Sequence, residues 1–335
     1  MHFNYKTALV TGGLGFIGSH LVEKLIKNHI KIIIVDNKST NVVDEKYFKD
    51  KNCSVIIESI SKVNWSKIKK IDVVFHLASI LGPTGVLKHG GDIAAITLSD
   101  TVIMRDFCLK RHIPLIDIST SEVYGYSGRL KENSKKIFPA EYQIRTEYGA
   151  GKMCSEMAII NKAKLNDSLK YHIIRPFNVS GPRQKPDGGF VLPRFVVAAL
   201  TSQTLTVYGD GSQQRAFTHV NDICDAILAI TKSNLFNNIW NIGNPQNKMS
   251  IKEMAQMVID TTKQILPNNK QKMVFIDPHK LHGANFSEVQ DKIPYIKKIK
   301  TLVGWNPKIS SQQIVNDTID YYLNKIKQGY YFKVT

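Results

Sequence analysis

In the first half of the 335-residue chain, short aliphatic runs alternate with longer stretches in which apolar positions recur every three or four residues. The short runs predict strands at 7–11, 31–35, 54–57, 72–77, 115–120 and 171–175. The periodic stretches predict helices at about 16–28, 93–111 and 146–165. The strand runs are apolar throughout, so both of their faces are covered. Strands of that kind joined by helices make a doubly wound parallel α/β sheet with right-handed crossovers. After Pro176 the texture changes. Turn signals cluster at Gly181-Pro182, Pro186-Asp187-Gly188-Gly189 and Tyr208-Gly209-Asp210-Gly211, among helical patterns near 191–202, 251–262 and 311–326. Trp240-Asn241-Ile242 reads as a strand returning to the first sheet. The expected organisation is a first domain over 1–178, completed by a strand and helix from about 219–243. A smaller, mostly C-terminal α/β lobe over 179–218 and 244–335 packs directly on it and closes a cleft, because no repeat or flexible linker intervenes.

Composition narrows the class. Hydrophobic residues make up 43% of the chain and charged residues 22%, which suits a globular protein with ample core and excludes disordered and fibrous classes. Lys and Arg number 45 against 28 Asp and Glu, a formal charge of +17. Only eight of the basic residues are Arg. Base readout and bidentate phosphate binding favour Arg, so the Lys excess reads as solvated surface and no nucleic-acid partner is expected. Cys53, Cys108, Cys154 and Cys224 are too widely spaced for a disulfide framework or a metal site, and no metal is expected. The N-terminal segment enters a strand without a secretory apolar region, and no apolar run approaches the ~18 residues of a membrane span. A cytoplasmic protein without a membrane partner is the expectation.

The first strand runs into Thr11-Gly12-Gly13-Leu14-Gly15-Phe16-Ile17-Gly18. A strand, three spaced glycines and an apolar helix make a dinucleotide phosphate site. Gly12 permits the tight turn, Gly15 lets backbone approach a pyrophosphate, and Gly18 lets the helix pack on the strand. Asp36 ends the next strand, where a carboxylate accepts hydrogen bonds from ribose hydroxyls and repels a 2′-phosphate; that favours NAD over NADP. The first domain is therefore a Rossmann-type NAD-binding domain.

A second constellation is Thr120-Ser121-Glu122-Val123-Tyr124-Gly125, followed by Tyr148-Gly149-Ala150-Gly151-Lys152. The spacing stacks Tyr148 and Lys152 on one helical face, one turn apart. An ammonium there lowers the phenol pKa, as the positive nicotinamide ring would, so Tyr148 is expected to act as a base near neutral pH, sharing a substrate hydroxyl proton with Thr120.

With these motifs the chain resembles the extended short-chain dehydrogenases/reductases, in their NAD-dependent sugar-nucleotide epimerase/dehydratase/decarboxylase group, over nearly its whole length. The resemblance rests on TGGLGFIGSH, DVVFHLAS (72–79), ISTSEVYG (118–125), the Tyr148/Lys152 pair, RPFNVSGPRQ (175–184), VYGDGSQQRAF (207–217) and VGWNPK (303–308). It implies NAD as cofactor, a nucleotide-diphosphate sugar as substrate, and a homodimer through the helices near 93–111 and 146–165. It places Phe16, Ile17, Leu77 and Ala78 beside the cofactor, Ala78 at the nicotinamide, with Ser59 and Ile60 at the adenine. Tyr148 and Lys152 also count among the cofactor contacts. Asn178 and Arg215 fall on the substrate diphosphate, and Arg194 and Tyr208 are further substrate contacts. Two positions depart from the family pattern: Ser59 stands where an Asp is common, and Lys292 where an Arg is common.

The chemistry implied is transient oxidation. Tyr148 takes the C4 hydroxyl proton while C4 gives hydride to NAD, leaving a 4-keto sugar that is then epimerised, dehydrated, decarboxylated or released. Glu122 discriminates among these, since a plain 4-epimerase needs no second acid or base. The Thr120-Ser121-Glu122 triplet resembles both UDP-glucuronate decarboxylases and GDP-mannose 4,6-dehydratases. Arg145, three residues before Tyr148, matches an Arg of the decarboxylases and would face a C6 carboxylate. A UDP-glucuronate decarboxylase is the preferred expectation, with a nucleotide-sugar 4-epimerase, 4,6-dehydratase or net 4-dehydrogenase as alternatives. A non-catalytic NAD-sensing protein is the alternative from another class, and an intact Thr120/Tyr148/Lys152 set argues against it. Five of the eight Arg (Arg145, Arg175, Arg183, Arg194 and Arg215) fall in the motif-bearing stretch, where a positive cleft would suit two ligands that each carry a diphosphate.

Overall fold

The computed structural model describes residues 4–48, 52–80, 85, 88–126, 128–139, 144–268, 270–277 and 291–333, the side chains of 144 and 145 excepted. Its first-half strands are β1 (Thr7–Thr11), β2 (Lys31–Asp36), β3 (Cys53–Ile57), β4 (Val73–His76), β5 (Leu115–Ile118), β6 (Gly128–Leu130) and β7 (Tyr171–Pro176). They are followed by β8 (Val179–Ser180), β9 (Leu205–Tyr208), β10 (Gln214–Ala216), β11 (Thr218–His219), β12 (Asn238–Ile242), β13 (Lys248–Ser250), β14 (Met273–Ile276) and β15 (Asp291–Pro294). Seven strands form one parallel sheet in the order β12-β7-β5-β4-β1-β2-β3.

Side-chain alternation explains why the strand runs are apolar throughout. Ala8 and Val10 of β1 join a core with Leu21, Leu25, Ile223 and Ile227, from the helices Phe16–Lys27 and Val220–Lys232. Leu9 points the other way, into a core with Met104, Phe107 and Ile159, from the helices Ile93–Arg111 and Ile144–Lys164. Both faces of the sheet are dry, as a doubly wound fold requires. The strand order reverses between β1 and β4, which opens a crevice at their carboxyl ends, where Thr11, Asp36, His76 and Ile118 lie.

The rest of the chain builds a third core, where Phe195, Met254, Val258, Ile314 and Ile319 pack together from the helices Val191–Leu200, Ile251–Ile265 and Ser311–Lys327. Ser250 and Glu253 close a capping box on the second of these helices. A small sheet runs β13-β10-β15-β6, so the short β6 of the first half pairs with β15 of the second, Gly128 opposite Lys292. Sequence patterning does not reveal β6, because three residues carry no periodicity. No helix among the described residues is long and apolar enough to cross a membrane.

Two of the arginines in the motif-bearing stretch are structural. Arg175 is fully buried in β7, where its Nε donates to Glu156 Oε1 at 2.8 Å and its Nη2 to Oε2 at 2.5 Å. Its Nη1 donates to the Tyr124 hydroxyl at 2.9 Å. Arg183 reaches back to the Phe16–Lys27 helix, 2.6 Å from Glu23. Removing one partner of a buried pair leaves an uncompensated charge. Glu156→Gln should therefore cost about 3–5 kcal/mol of unfolding free energy, measured by urea denaturation; a loss below about 1 kcal/mol, the range of exposed pairs, would contradict this.

Candidate active site

The glycine turn is packed backbone to backbone. Gly12 has φ +70°, and a Cβ on Gly18 would sit 2.1 Å from the Gly12 carbonyl oxygen. A Cβ on Gly15, in contrast, would meet within 4 Å only the Gly12 oxygen at 3.2 Å, so this position leaves backbone open to a ligand. The helix that starts here has no acidic residue in its first turn, so its N–H groups and positive dipole end are available to an anion. Asp36 accepts from Leu14 N at 3.0 Å and Lys38 N at 2.8 Å; burial pushes its carboxyl up. The Lys38 ammonium pairs with Glu45. Ser59 opens the turn after β3, with its hydroxyl 3.5 Å from Asn37 Nδ2. A Gly15 cradle, an uncapped helix start and a carboxylate at the end of β2 fit a dinucleotide.

Other expected cofactor residues serve through backbone or packing. Ile60 and Leu77 point their side chains into the cores, because the turn after β3 and the end of β4 must cover the sheet, and they can offer a ligand only main-chain atoms. Phe16 and Ile17 are partly buried against the first core. Ala78 N donates to Thr11 Oγ1 at 3.2 Å, and that oxygen lies 2.8 Å from His76 Nδ1. Burial and the nearby Lys152 charge lower His76 to about 3, so its imidazole is neutral.

The helix carrying Tyr148 and Lys152 is held in place by its glycines. A Cβ on Gly149 would come within 2.8 Å of the Glu122 carbonyl oxygen, and one on Gly151 within 2.7 Å of Ala94 Cα. Only glycine allows the helix to lie this close to the Ser121–Tyr124 turn and to the helix Ile93–Arg111. Glu147 adds a cap across the helix pair, accepting from Gly91 N at 2.7 Å and Ala94 N at 3.1 Å. Thr120 caps its own turn, with Oγ1 accepting from Glu122 N at 3.2 Å, and Ser121 is buried.

Tyr148 is 6% exposed, and the Ser79 and Thr120 hydroxyls face its phenol. The phenol pKa is raised, first by burial and then by the Glu122 carboxylate, which outweigh the two hydroxyls. The Lys152 ammonium is turned into the protein, donating to Ile118 O at 2.8 Å among Asp117, Glu156 and Asp100. Its own pKa is lowered by burial, which those three carboxylates oppose.

Glu122 is ion-paired with Lys292, whose side chain is 1% exposed. Lys292 lies opposite Arg215 in the β10–β15 pairing, and its carbonyl accepts from Asn178 Nδ2 at 3.4 Å. Asn178 takes φ +40° at the turn after β7. Glu122, Asn178, Arg215 and Lys292 therefore gather on one side of Tyr148. Arg194 and Tyr208 form a separate pair, with the guanidinium 4.6 Å from the ring centroid and Arg194 Nη2 donating to Thr206 O at 2.9 Å. The Arg145 side chain lies outside the described residues. Sequence reasoning missed Glu156, although it continues the four-residue spacing of Tyr148 and Lys152, and Asp117, although it is the one acidic residue of β5.

Residues 8–243 match the family model described as the NAD dependent epimerase/dehydratase family. The UDP-N-acetyl-alpha-D-glucosaminuronate decarboxylase of Bacillus cytotoxicus is 34% identical over 324 residues, 95% of this chain and 98% of that one. The UDP-glucuronic acid decarboxylase 1 of Xenopus tropicalis is 30% identical over 96% of this chain and 73% of its own. Among solved structures, the UDP-glucuronic acid 4-epimerase of Bacillus cereus, in complex with UDP-glucuronic acid and NAD, superposes with a TM-score of 0.80 at 29% identity, covering 97% of this chain and 100% of that one.

The glycine packing has a direct test. Gly18→Ala drives a methyl into the Gly12 carbonyl and should cost about 1–3 kcal/mol of stability by overpacking, together with weaker NAD binding by calorimetric titration. Full affinity at full stability would show that the turn tolerates a side chain.

Proposed function

The chain belongs to the NAD dependent epimerase/dehydratase family, and from that premise we propose that it decarboxylates a UDP-linked uronic acid through a 4-keto intermediate. It is an NAD-dependent sugar-nucleotide enzyme, in a family whose members include decarboxylases, epimerases and dehydratases. The observation that carries the narrower reading is the Glu122–Lys292 pair beside Tyr148. A 4-epimerase needs a single base. A decarboxylase must also receive a C6 carboxylate and deliver a proton to carbon after carbon dioxide leaves. A buried ammonium held by a carboxylate suits both tasks.

Bound NAD would accept the C4 hydride and return it to C4 after carbon dioxide has left, with Tyr148 giving back its proton to yield the pentose, and its positive ring would favour phenolate at Tyr148. Tyr148 then takes the C4 hydroxyl proton, with Thr120 sharing it. Once C4 is a ketone, the C5–C6 bond breaks, its electron pair moves into the carbonyl as an enolate, and Lys292 or Glu122 returns a proton to C5. Ser121 lines the same turn. Asn178 and Arg215 hold the diphosphate, and Arg194 with Tyr208 stacks on the uracil-bearing end. Gly12, Gly15, Gly18, Asp36, Ser59 and Ala78 hold NAD. In this reading residues 1–178 with 219–243 form the NAD domain, and 179–218 with 244–335 the sugar-nucleotide lobe. The protein works as a homodimer through the helices Ile93–Arg111 and Ile144–Lys164, whose Ile96 and Met157 remain 40% and 45% exposed.

Two experiments test this. Incubation with NAD and UDP-glucuronate, or its 2-acetamido counterpart, should release carbon dioxide and a UDP-pentose, and Glu122→Gln should slow the release by about 10²-fold or more. A retained uronic acid with inverted C4 would instead make the enzyme an epimerase. Light scattering should give twice the 37.8 kDa chain mass; a monomer would remove the dimer.

A further inference from the structure

We propose that Asp117 is a positioning residue of the active site, the counter-charge that keeps the Lys152 ammonium protonated where it donates to the Ile118 carbonyl. The inference rests on the reading of Tyr148 and Lys152 as catalytic and cofactor-holding groups. Asp117 lies in β5 between Ile116 and Ile118, fully buried. It shares the strand face of Leu115, which is covered by the helices Ile93–Arg111 and Ile144–Lys164. Neither carboxylate oxygen has a hydrogen-bond partner among the described residues.

The charges around it leave one beneficiary. From the helix Ile144–Lys164 come Tyr148, Lys152 and Glu156, and from the helix Ile93–Arg111 comes Asp100, which also acts on Lys152. Glu156 is already satisfied by Ser119 and by Arg175 of β7. His76 of β4, the register partner of Asp117, is neutral. Lys152 is the cation that draws on Asp117. A buried carboxylate without hydrogen bonds costs the fold stability. Leucine or valine would pack here as it does at the neighbouring strand positions, so the group persists at the expense of the fold. Such groups concentrate where a neighbouring charge has work to do.

The sign of the pH dependence follows. Burial raises Asp117 from its ordinary 3.8 to about 6. The folded state thus takes up this proton more readily than the unfolded chain, and the ionised group lowers stability above pH 6 and not below about pH 4. Asp117→Asn should therefore be as stable as the parent or more so at pH 8, the difference closing towards pH 4.

The test is a double-mutant cycle on full-length protein, with NADH affinity read by fluorescence from pH 5 to 9 and stability read by urea denaturation. Asp117→Asn should weaken NADH binding roughly three- to tenfold at pH 8, more at pH 9 than at pH 7, because Lys152 then loses its proton earlier. In a Lys152→Ala background it should have no further effect. An equal loss in that background, an unchanged affinity, or a destabilised Asp117→Asn protein would each overturn the proposal. If Lys152→Ala alone left NADH binding intact, the assignment of Lys152 would fall and the proposal with it. The NADH arm needs no sugar, so a protein inactive on UDP-uronic acids would sink only the proposed reaction.

Discussion

One carboxylate ties the machinery together. Glu156 accepts from Ser119, the residue before Thr120, and from both sides of the Arg175 guanidinium in β7. Arg175 donates onward to the Tyr124 hydroxyl, Tyr124 to Asn241 of β12, and Asn241 to the Leu130 carbonyl of β6. A chain of hydrogen bonds, charge-assisted at Glu156 and Arg175, thus joins the helix of Tyr148, the end of β5, the turn of Glu122, the last strand of the large sheet and the edge of the small one. Every group in it is buried, so each depends on the others for satisfaction. The reacting groups inherit their positions from it.

The site is assembled from elements that come unusually close. Glycines at 12, 18, 149 and 151 remove side chains where backbones meet, and the space saved goes to polar groups that would otherwise be held apart. Close packing also dries the site, and dryness raises the phenol and lowers the lysine. The resting protein is thus electrostatically unfavourable at the very atoms that react. The positive ring of the cofactor and the anionic sugar nucleotide supply the missing charges, so binding energy and chemistry are linked through burial.

What the sequence revealed follows physical range. The glycine turn, Asp36 and the Tyr148–Lys152 pair are short-range patterns, since one turn or one helix step fixes their geometry, and the alternation of strands and helices dictated the sheet. Partnerships across the chain were hidden. Nothing near Arg175 distinguishes a ligand-binding guanidinium from one sealed against Glu156. Lys292 was visible as a departure, but its pairing with Glu122 depends on β15 lying beside β10 and β6. The depth at which the phenol is buried, and the Glu122 carboxylate that faces it, both raise its pKa and could not be read from the spacing. Helical spacing says where a side chain starts, not where its charge ends.

The pairing of β6 with β15 also has a consequence for the order of folding. The large sheet takes all its strands from residues up to Ile242. The small sheet cannot close until Asp291–Pro294 has been made, because among the described residues Gly128–Leu130 pairs in that sheet with this strand alone. Until then β6 lacks its β15 neighbour, and Lys292 is not yet beside Glu122. The strands of the large sheet thus precede the small sheet in the chain, while Ile296, Ile299 and Trp305, made after β15, complete the core beneath the large one.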